Sequence, residues 1–267
     1  MSINQYRPRR RHRHGISQKA YNFLLFLIIT NIALQIAYPL TSGKTLELIT
    51  MATVLAGATL MFIHGHLAYG WRYALTYLFA TSLFAFVIEY VGLTTGWPFG
   101  KYSYDSSLGY SLAGVPLLVP LAWVMMAHPM LVVARRLTHH WVFLIGGAGL
   151  AAWDLFLDPQ MVDAGRWRWE FDGRSVPFQP MIPLSNAFGW LLAGMALIAL
   201  LHQILPRDRR KEPASFGAVD AYLAWTLFSG IVGNLFFFDR PGTALIGGVA
   251  MGALLIPYAF NRWFGRP

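Results

Sequence analysis

Eight apolar runs, each long enough to cross a bilayer, constrain this chain more than any other feature of it. They fall near residues 20–40, 46–67, 72–93, 113–134, 141–158, 186–205, 217–238 and 242–260. In hydrocarbon the backbone has no water to bond, so each run must satisfy its own N–H and C=O groups as a helix. The fold class is therefore all-α: a polytopic integral membrane helical bundle of about eight transmembrane helices, with seven as the alternative count and the N-terminus cytoplasmic. Composition agrees. Only 12% of the residues are charged and 56% are hydrophobic, whereas a soluble domain carries roughly 25% charge. Gly146, Gly147 and Gly149, Gly230 and Gly233, and Gly248 and Gly252 suit close helix–helix contact in lipid. Pro116, Pro120 and Pro129 predict a kinked or broken fourth helix.

The formal charge of +9 would fit a nucleic-acid partner if the cations were clustered on one face, and they are not. They sit at the ends of the apolar runs, where membrane topology puts them. With the N-terminus inside, one side holds 15 of the 21 Lys and Arg residues, among them Arg7, Arg9, Arg10, Arg11, Arg13, Arg135, Arg136, Arg209, Arg210 and Lys211. The other side holds six: Lys44, Lys101, Arg166, Arg168, Arg174 and Arg240. This asymmetry supports eight spans with both ends cytoplasmic, and the spread of the cations argues against nucleic acid as partner; the expected location is the plasma membrane of a prokaryote. Residues 1–19 read as a basic, disordered cytoplasmic tail, and residues 20–267 as a single transmembrane helical domain. The apolar run after the tail is too long for a cleaved signal peptide.

The acids run the opposite way. Glu47, Glu89, Asp105, Asp154, Asp158, Asp163, Glu170, Asp172 and Asp239 fall at or near the outer ends, which points to a polar site in the outer half of the bundle. The stretch Trp153–Glu170, WDLFLDPQMVDAGRWRWE, alone carries four of the twelve acids. Asp154 and Asp158 are four apart, so on a helix they share one face, and Pro159 is expected to end that helix. Glu89, in FAFVIEYVG, lies about one turn inside the outer end of the third run. A carboxyl there reaches the interface, pairs with an arginine, or is buried. Desolvation would hold a buried one neutral, ready to donate a proton. Asp158 could simply terminate its helix; Asp154, one turn deeper, is harder to explain that way. Together the three could form an acid–base group, although transporters use intramembrane acids too.

Two long outer loops, 94–114 and 159–185, are the unusual connections, and long ordered loops are where function usually sits. They carry Trp97, Phe99, Tyr102, Tyr104, Tyr110, Trp167, Trp169, Phe171 and Phe178. Interface aromatics are expected in any membrane protein. Beside the acids they could also stack on a flat polyene or stabilise a cation. Asn186, in PLSNAFGW, is either a helix N-cap or a polar member of the site. The eight histidines show no metal spacing: His64 and His66 are two apart, His139 and His140 adjacent, His128 and His202 isolated. There is no cysteine, hence no thiolate site, and no phosphate-binding or nucleophile-elbow motif. Neither a metal nor a cofactor is expected.

Three stretches together resemble one family: EYVGLTTGWPFGKYSYDSSLGYSLAGVPLLVPLAWVMM, DLFLDPQMVDAGRWRWE and VPFQPMIPLSNAFGW. They look like the membrane-embedded carotenoid biosynthesis family that includes carotenoid 1′,2′-hydratases and bisanhydrobacterioruberin hydratase. The likeness covers roughly residues 85–195 and is weaker in the last two helices. It implies addition of water across the terminal C=C bond of an acyclic carotenoid end, of lycopene, γ-carotene or C50 type, giving a tertiary alcohol without a redox cofactor. Such chemistry needs a neutral acid, an ordered water with a base, and an aromatic or anionic lining for a carbocation. Asp154 and Glu89 are the candidates for acid and base, with Asp158 tuning them. Trp97, Tyr102, Tyr104, Asp105, Trp123, Trp153, Trp169 and Asn186 are the candidate substrate-binding residues. The expected partners are the carotenoid, reaching the site sideways from the lipid phase, and the membrane lipids. Two other classes fit the same acids: a multi-pass transporter or proton relay, and a non-catalytic scaffold for other carotenoid-biosynthesis enzymes.

Overall fold

The structure, a computed structural model, describes residues 16–207 and 217–264. Most of the basic tail, the cations Arg209, Arg210, Lys211 and Arg266, and the acids Asp208 and Glu212 lie outside the described residues. Eight helices follow in order: α1 (Gln18–Ala37), α2 (Gly43–Tyr69), α3 (Trp71–Thr95), α4 (Leu118–Leu137), α5 (Val142–Asp163), α6 (Leu184–Ile204), α7 (Ala218–Phe236) and α8 (Pro241–Trp263). All eight are long and apolar enough to cross a membrane. Ser17 caps α1, its Oγ accepting from the Ala20 N–H at 3.2 Å, so residues 18–19 belong to the first helix rather than the tail. The bundle is apolar outside as well as inside. Phe79, Leu83 and Val249 are about two-thirds exposed, as a lipid-facing surface requires.

The two long loops sit at the same end of the bundle and are not irregular. Lys101–Tyr104 (β1) pairs antiparallel with Trp167–Glu170 (β4), placing Tyr102 opposite Trp169 and Tyr104 opposite Trp167. Ser111–Leu112 (β2) pairs with Val115–Pro116 (β3), and Ser175–Val176 (β5) with Gln179–Pro183 (β6). The β2–β3 hairpin explains why α4 begins at Leu118 and not near residue 113. Ala113 and Gly114 both have positive φ, 50° and 85°, the geometry of a two-residue primed turn, so the chain reverses there before the helix starts.

Two proline expectations fare differently from their simple reading. Pro159 does not end α5, which continues to Asp163. A proline inside a helix leaves the carbonyl four residues earlier without its donor, and here the Gln179 Nε2–H of β6 bonds to that carbonyl, Leu155 O, at 2.7 Å. Pro129 lies inside an α4 that runs unbroken to Leu137. Its ladder is nevertheless entered by a side chain. The Tyr77 hydroxyl accepts from the His128 N–H and donates to the Val124 carbonyl, two groups that would otherwise pair with each other. Pro116 lies in β3 and Pro120 in the first turn of α4, where a missing N–H costs nothing.

Glycine sets the distance between α5 and α6. A Cβ on Gly147 would stand 2.6 Å from the Met195 backbone nitrogen, and one on Gly194 3.1 Å from Gly147 Cα. Backbone therefore lies on backbone, and Asp154 and Asp158 of α5 are brought against Asn186 at the start of α6. Gly146, Gly149, Gly230, Gly233 and Gly248 also face close neighbours, whereas Gly252 has only Ile256 of its own helix within reach.

Candidate active site

Three carboxyls are buried in the loop-bearing half of the bundle: Glu89, Asp154 and Asp158, all at most 4% exposed. Their surroundings divide them. Glu89 of α3 accepts three hydrogen bonds, from the Tyr102 hydroxyl at 2.6 Å and the Tyr104 hydroxyl at 2.8 Å on Oε2, and from the Trp123 indole at 3.1 Å on Oε1. Gly92, one turn on, lets Tyr102 lie against the helix; a Cβ there would meet the Tyr102 hydroxyl at 2.7 Å. Burial, and then the neighbouring Glu89 carboxyl, hold the Tyr102 and Tyr104 phenols well above their ordinary pKa. Both therefore stay protonated at neutral pH and keep their capacity to donate.

Asp154 and Asp158 meet on one amide. Asn186 Nδ2 donates to Asp154 Oδ2 at 3.2 Å and also to Asp158 Oδ2. The Trp167 indole donates to Asp158 Oδ1 at 3.2 Å. Asp154 Oδ1 is buried and has no partner among the described residues, a rare condition for a buried polar atom. No Lys or Arg forms an ion pair with these three carboxyls among the described residues. Three other acids at this end are in ion pairs: Glu47 with Arg166, Asp163 with Arg240 and Glu170 with Lys101. Uncompensated carboxyls inside an apolar bundle are expensive and mark function.

A cavity of about 70 Å³ opens between the two groups. Glu89, Asp158 and Asn186 line it, with walls of Tyr102, Tyr104, Trp123, Trp167, Trp169 and Trp190. Trp123 and Trp190 stack nearly parallel, 12° apart with centroids at 4.3 Å. Carboxyl and aromatic side chains thus line one small space, a combination suited to a cationic intermediate.

The residues singled out from the sequence take distinct places. Glu89, Asp158, Asn186, Tyr102, Tyr104, Trp123 and Trp169 line the cavity. Asp154 stands behind it, joined through Asn186. Trp153 lines a neighbouring cavity and lies 5.8 Å from the Tyr222 ring. Trp97 is 61% exposed, and Asp105 is an exposed cap whose Oδ1 accepts from the Ser107 N–H. Bonds from Ser107 hold the Asp105 carboxyl below its ordinary pKa. Trp167 and Trp190 complete the site. Trp190 follows Asn186 by four residues and so shares its helix face, a signal present in the sequence. Trp167 reaches Asp158 only because β4 pairs with β1, which no local spacing shows.

A second polar cluster lies nearer the opposite end. His64 Nδ1 is 2.8 Å from His128 Nε2, and the Tyr73 hydroxyl is 3.0 Å from His128 Nδ1. Neither histidine that looked isolated is so: His128 is paired across 64 residues of sequence, and His202 Nδ1 accepts from Arg135 Nε at 3.2 Å. No cluster of three or more His, Asp or Glu suited to a metal ion occurs among the described residues.

The family model described as "carotenoid biosynthesis protein" matches residues 49–254. The chain belongs to that family. The match reaches from α2 into α8, well beyond residues 85–195, so the last two helices share in the likeness. Within the family's reach lies a curated relative, the bisanhydrobacterioruberin hydratase of Haloarcula japonica, 33% identical over 170 residues. That alignment covers 60% of this chain and 56% of the relative, so the chain spans little more than half the length of the relative it matches. No solved structure matches.

Proposed function

We propose that this protein is a carotenoid hydratase, adding water to the terminal C=C bond of an acyclic end group to give a tertiary alcohol. The carrying observation is the cavity that Glu89 and Asp158 both line, walled by aromatic side chains that include the stacked Trp123–Trp190 pair. Family membership and the relative's name support the same reaction. The substrate is an acyclic carotenoid end of lycopene, γ-carotene or C50 type, and the site uses no redox step.

Hydrogen-bond geometry supports one assignment of roles. Asp158 faces the cavity with Asp154 behind it, two carboxyls on one amide, so a proton held by this pair can be delivered to the alkene through Asp158. Protonation at the less substituted carbon makes the C–H bond, breaks the π bond and leaves a tertiary cation. Aromatic side chains that line the cavity, Trp123 and Trp190 among them, would stabilise it. Glu89 carries three donors and is the acceptor of the site. It takes a proton from the attacking water as the C–O bond forms. One proton leaves the acid and one arrives at the base, so the sum is addition of one water. Asn186 fixes the aspartates, and Tyr102, Tyr104 and Trp123 fix Glu89.

The test is pigment analysis in a bacterium that accumulates lycopene, and separately γ-carotene or a C50 precursor, with an Asp154→Asn control. The expected product is a more polar pigment heavier by one water, absent with Asp154→Asn. Unchanged pigment with all three, from inserted protein, would sink the hydratase reading and favour the transporter or scaffold.

A further inference from the structure

A second cavity of about 230 Å³ lies beside the first. Thr50, Val54, Met125, Leu157 and Met161 line both, so the two cavities share these residues as a common wall. Helices α1, α2, α5 and α7 frame it, with Trp153, Phe156, Tyr222 and Trp225 among its walls. At its rim Ile36 of α1 is 51% exposed, Phe228 of α7 56%, and Phe237 just beyond α7 55%. These side chains are turned outward on helices whose outer faces meet lipid. The cavity thus opens sideways, between α1 and α7.

We infer that this cavity holds the polyene chain behind the reacting end group, and that the carotenoid reaches it from lipid between α1 and α7; the inference rests on the hydratase reading above. The size difference is the first argument. The carboxyl cavity, at about 70 Å³, is on the scale of an end group and not of a whole carotenoid, and a conjugated chain attached to that end must continue through apolar, unhydrated space. The second cavity is larger by a factor of about three and adjoins it. The second argument is the seam. At the rim α7 is tied to α1 by the Trp225 indole donating to Gln35 Oε1 at 3.1 Å. Gln35 donates in turn to Asn31, and Asn31 Nδ2 to the Thr53 carbonyl of α2 at 2.8 Å. Asn31 is fully buried, so the α1–α2 link is anchored. The Trp225–Gln35 bond is a neutral pair at a half-buried edge, the weaker link. The portal opens there.

The chain has no cysteine, so Gln35→Cys with Trp225→Cys supplies the only two thiols. A cleavable bis-thiosulfonate reagent can bridge them and a reductant can release them. The full-length protein is placed in phospholipid vesicles containing the carotenoid. Pigment loading is followed by quenching of protein tryptophan fluorescence, and hydration by chromatography. Bridging should slow loading and hydration at least tenfold, and reductant should restore both in the same sample. Loading at an undiminished rate in the bridged protein would overturn the portal. Ser229→Trp, which puts an indole into the cavity, should raise at least tenfold the ratio of turnover of a short acyclic isoprenoid to that of the full-length carotenoid. An unchanged ratio would overturn the polyene site, as would Ser229→Trp expelling bound phospholipid while carotenoid loading stays intact, which would make the occupant an acyl chain. Bridge-sensitive loading without hydration by the unbridged protein would sink the hydratase reading and leave the channel standing.

Discussion

Two buried polar clusters share the helices α3 and α4, and only one of them has the makings of a site. Glu89 and Trp123 belong to the first, with Asp154, Asp158 and Asn186 completing it. Tyr73, Tyr77 and His128 belong to the second, with His64 completing it. Both remove hydrogen-bonding groups from water, which each must offset with partners. The histidine cluster is packed: Tyr77 bonds to α4 backbone, Tyr73 and His64 to the two nitrogens of His128, and none of the four lines either described cavity. The carboxyl cluster is left open. It adjoins a cavity and, among the described residues, holds three carboxyls without a paired cation and leaves Asp154 Oδ1 without a hydrogen-bond partner. Burial of polarity alone therefore does not mark chemistry; burial next to empty space does.

The largest effects should come from the open cluster. Glu89→Gln and Asp158→Asn keep shape and polarity while removing proton transfer. Each should lower hydration by about 10²- to 10⁴-fold, the usual contribution of a positioned acid or base, as read by product pigment per inserted protein. Retained activity in either variant would take that carboxyl out of the mechanism. Trp123→Leu removes both a donor to Glu89 and one face of the aromatic stack. A desolvated cation–π contact is worth about 2 kcal/mol, or about thirtyfold in rate. Hydration should fall by roughly that factor, and a loss confined to KM would argue that Trp123 merely holds the substrate.

The packed cluster should answer in stability instead. His128→Leu leaves His64 and Tyr73 without their shared partner in an apolar surrounding, at a cost of about 1–3 kcal/mol. The thermal midpoint should drop while turnover per folded molecule stays unchanged. If turnover collapsed with the midpoint held, the two clusters would be coupled and the proton-relay reading would gain.

How far the sequence carried these two regions also differs. The eight spans and the three acids were readable because a bilayer imposes length and apolarity on every span, and a charge stands out against that background. Asn186 stood out for the same reason. The histidine cluster was unreadable: His64 and His128 lie on different helices and nothing near either predicts the other. The loops were half readable. Their aromatics were visible, but the β1–β4 pairing that points Trp167 at Asp158 and Tyr104 at Glu89 depends on two segments more than 60 residues apart. Pro159 misled because its rescue by Gln179 is likewise a distant event.

The smallest effect should lie at the rim of the open cluster, where Lys101 and Glu170 pair at 2.6 Å across β1–β4. The bond and charge of Lys101 hold the Glu170 carboxyl below its ordinary pKa, and Glu170 holds the Lys101 ammonium above its own. A carboxyl whose folded pKa is depressed contributes stability above its unfolded value, about 4.3, and loses it as pH falls through the folded value. Both side chains are about two-thirds exposed or more, so solvent and salt screen the pair. Glu170→Gln should lower the thermal midpoint at neutral pH only slightly, leave the hydration rate unchanged, and lose even that small difference from the parent protein below about pH 4. The strand pair would then be held by its backbone ladder and by the Tyr102–Trp169 and Tyr104–Trp167 contacts, which is the aromatic wall itself. A marked loss of hydration in Glu170→Gln would mean that the rim pair, and not that wall, sets the position of Glu89.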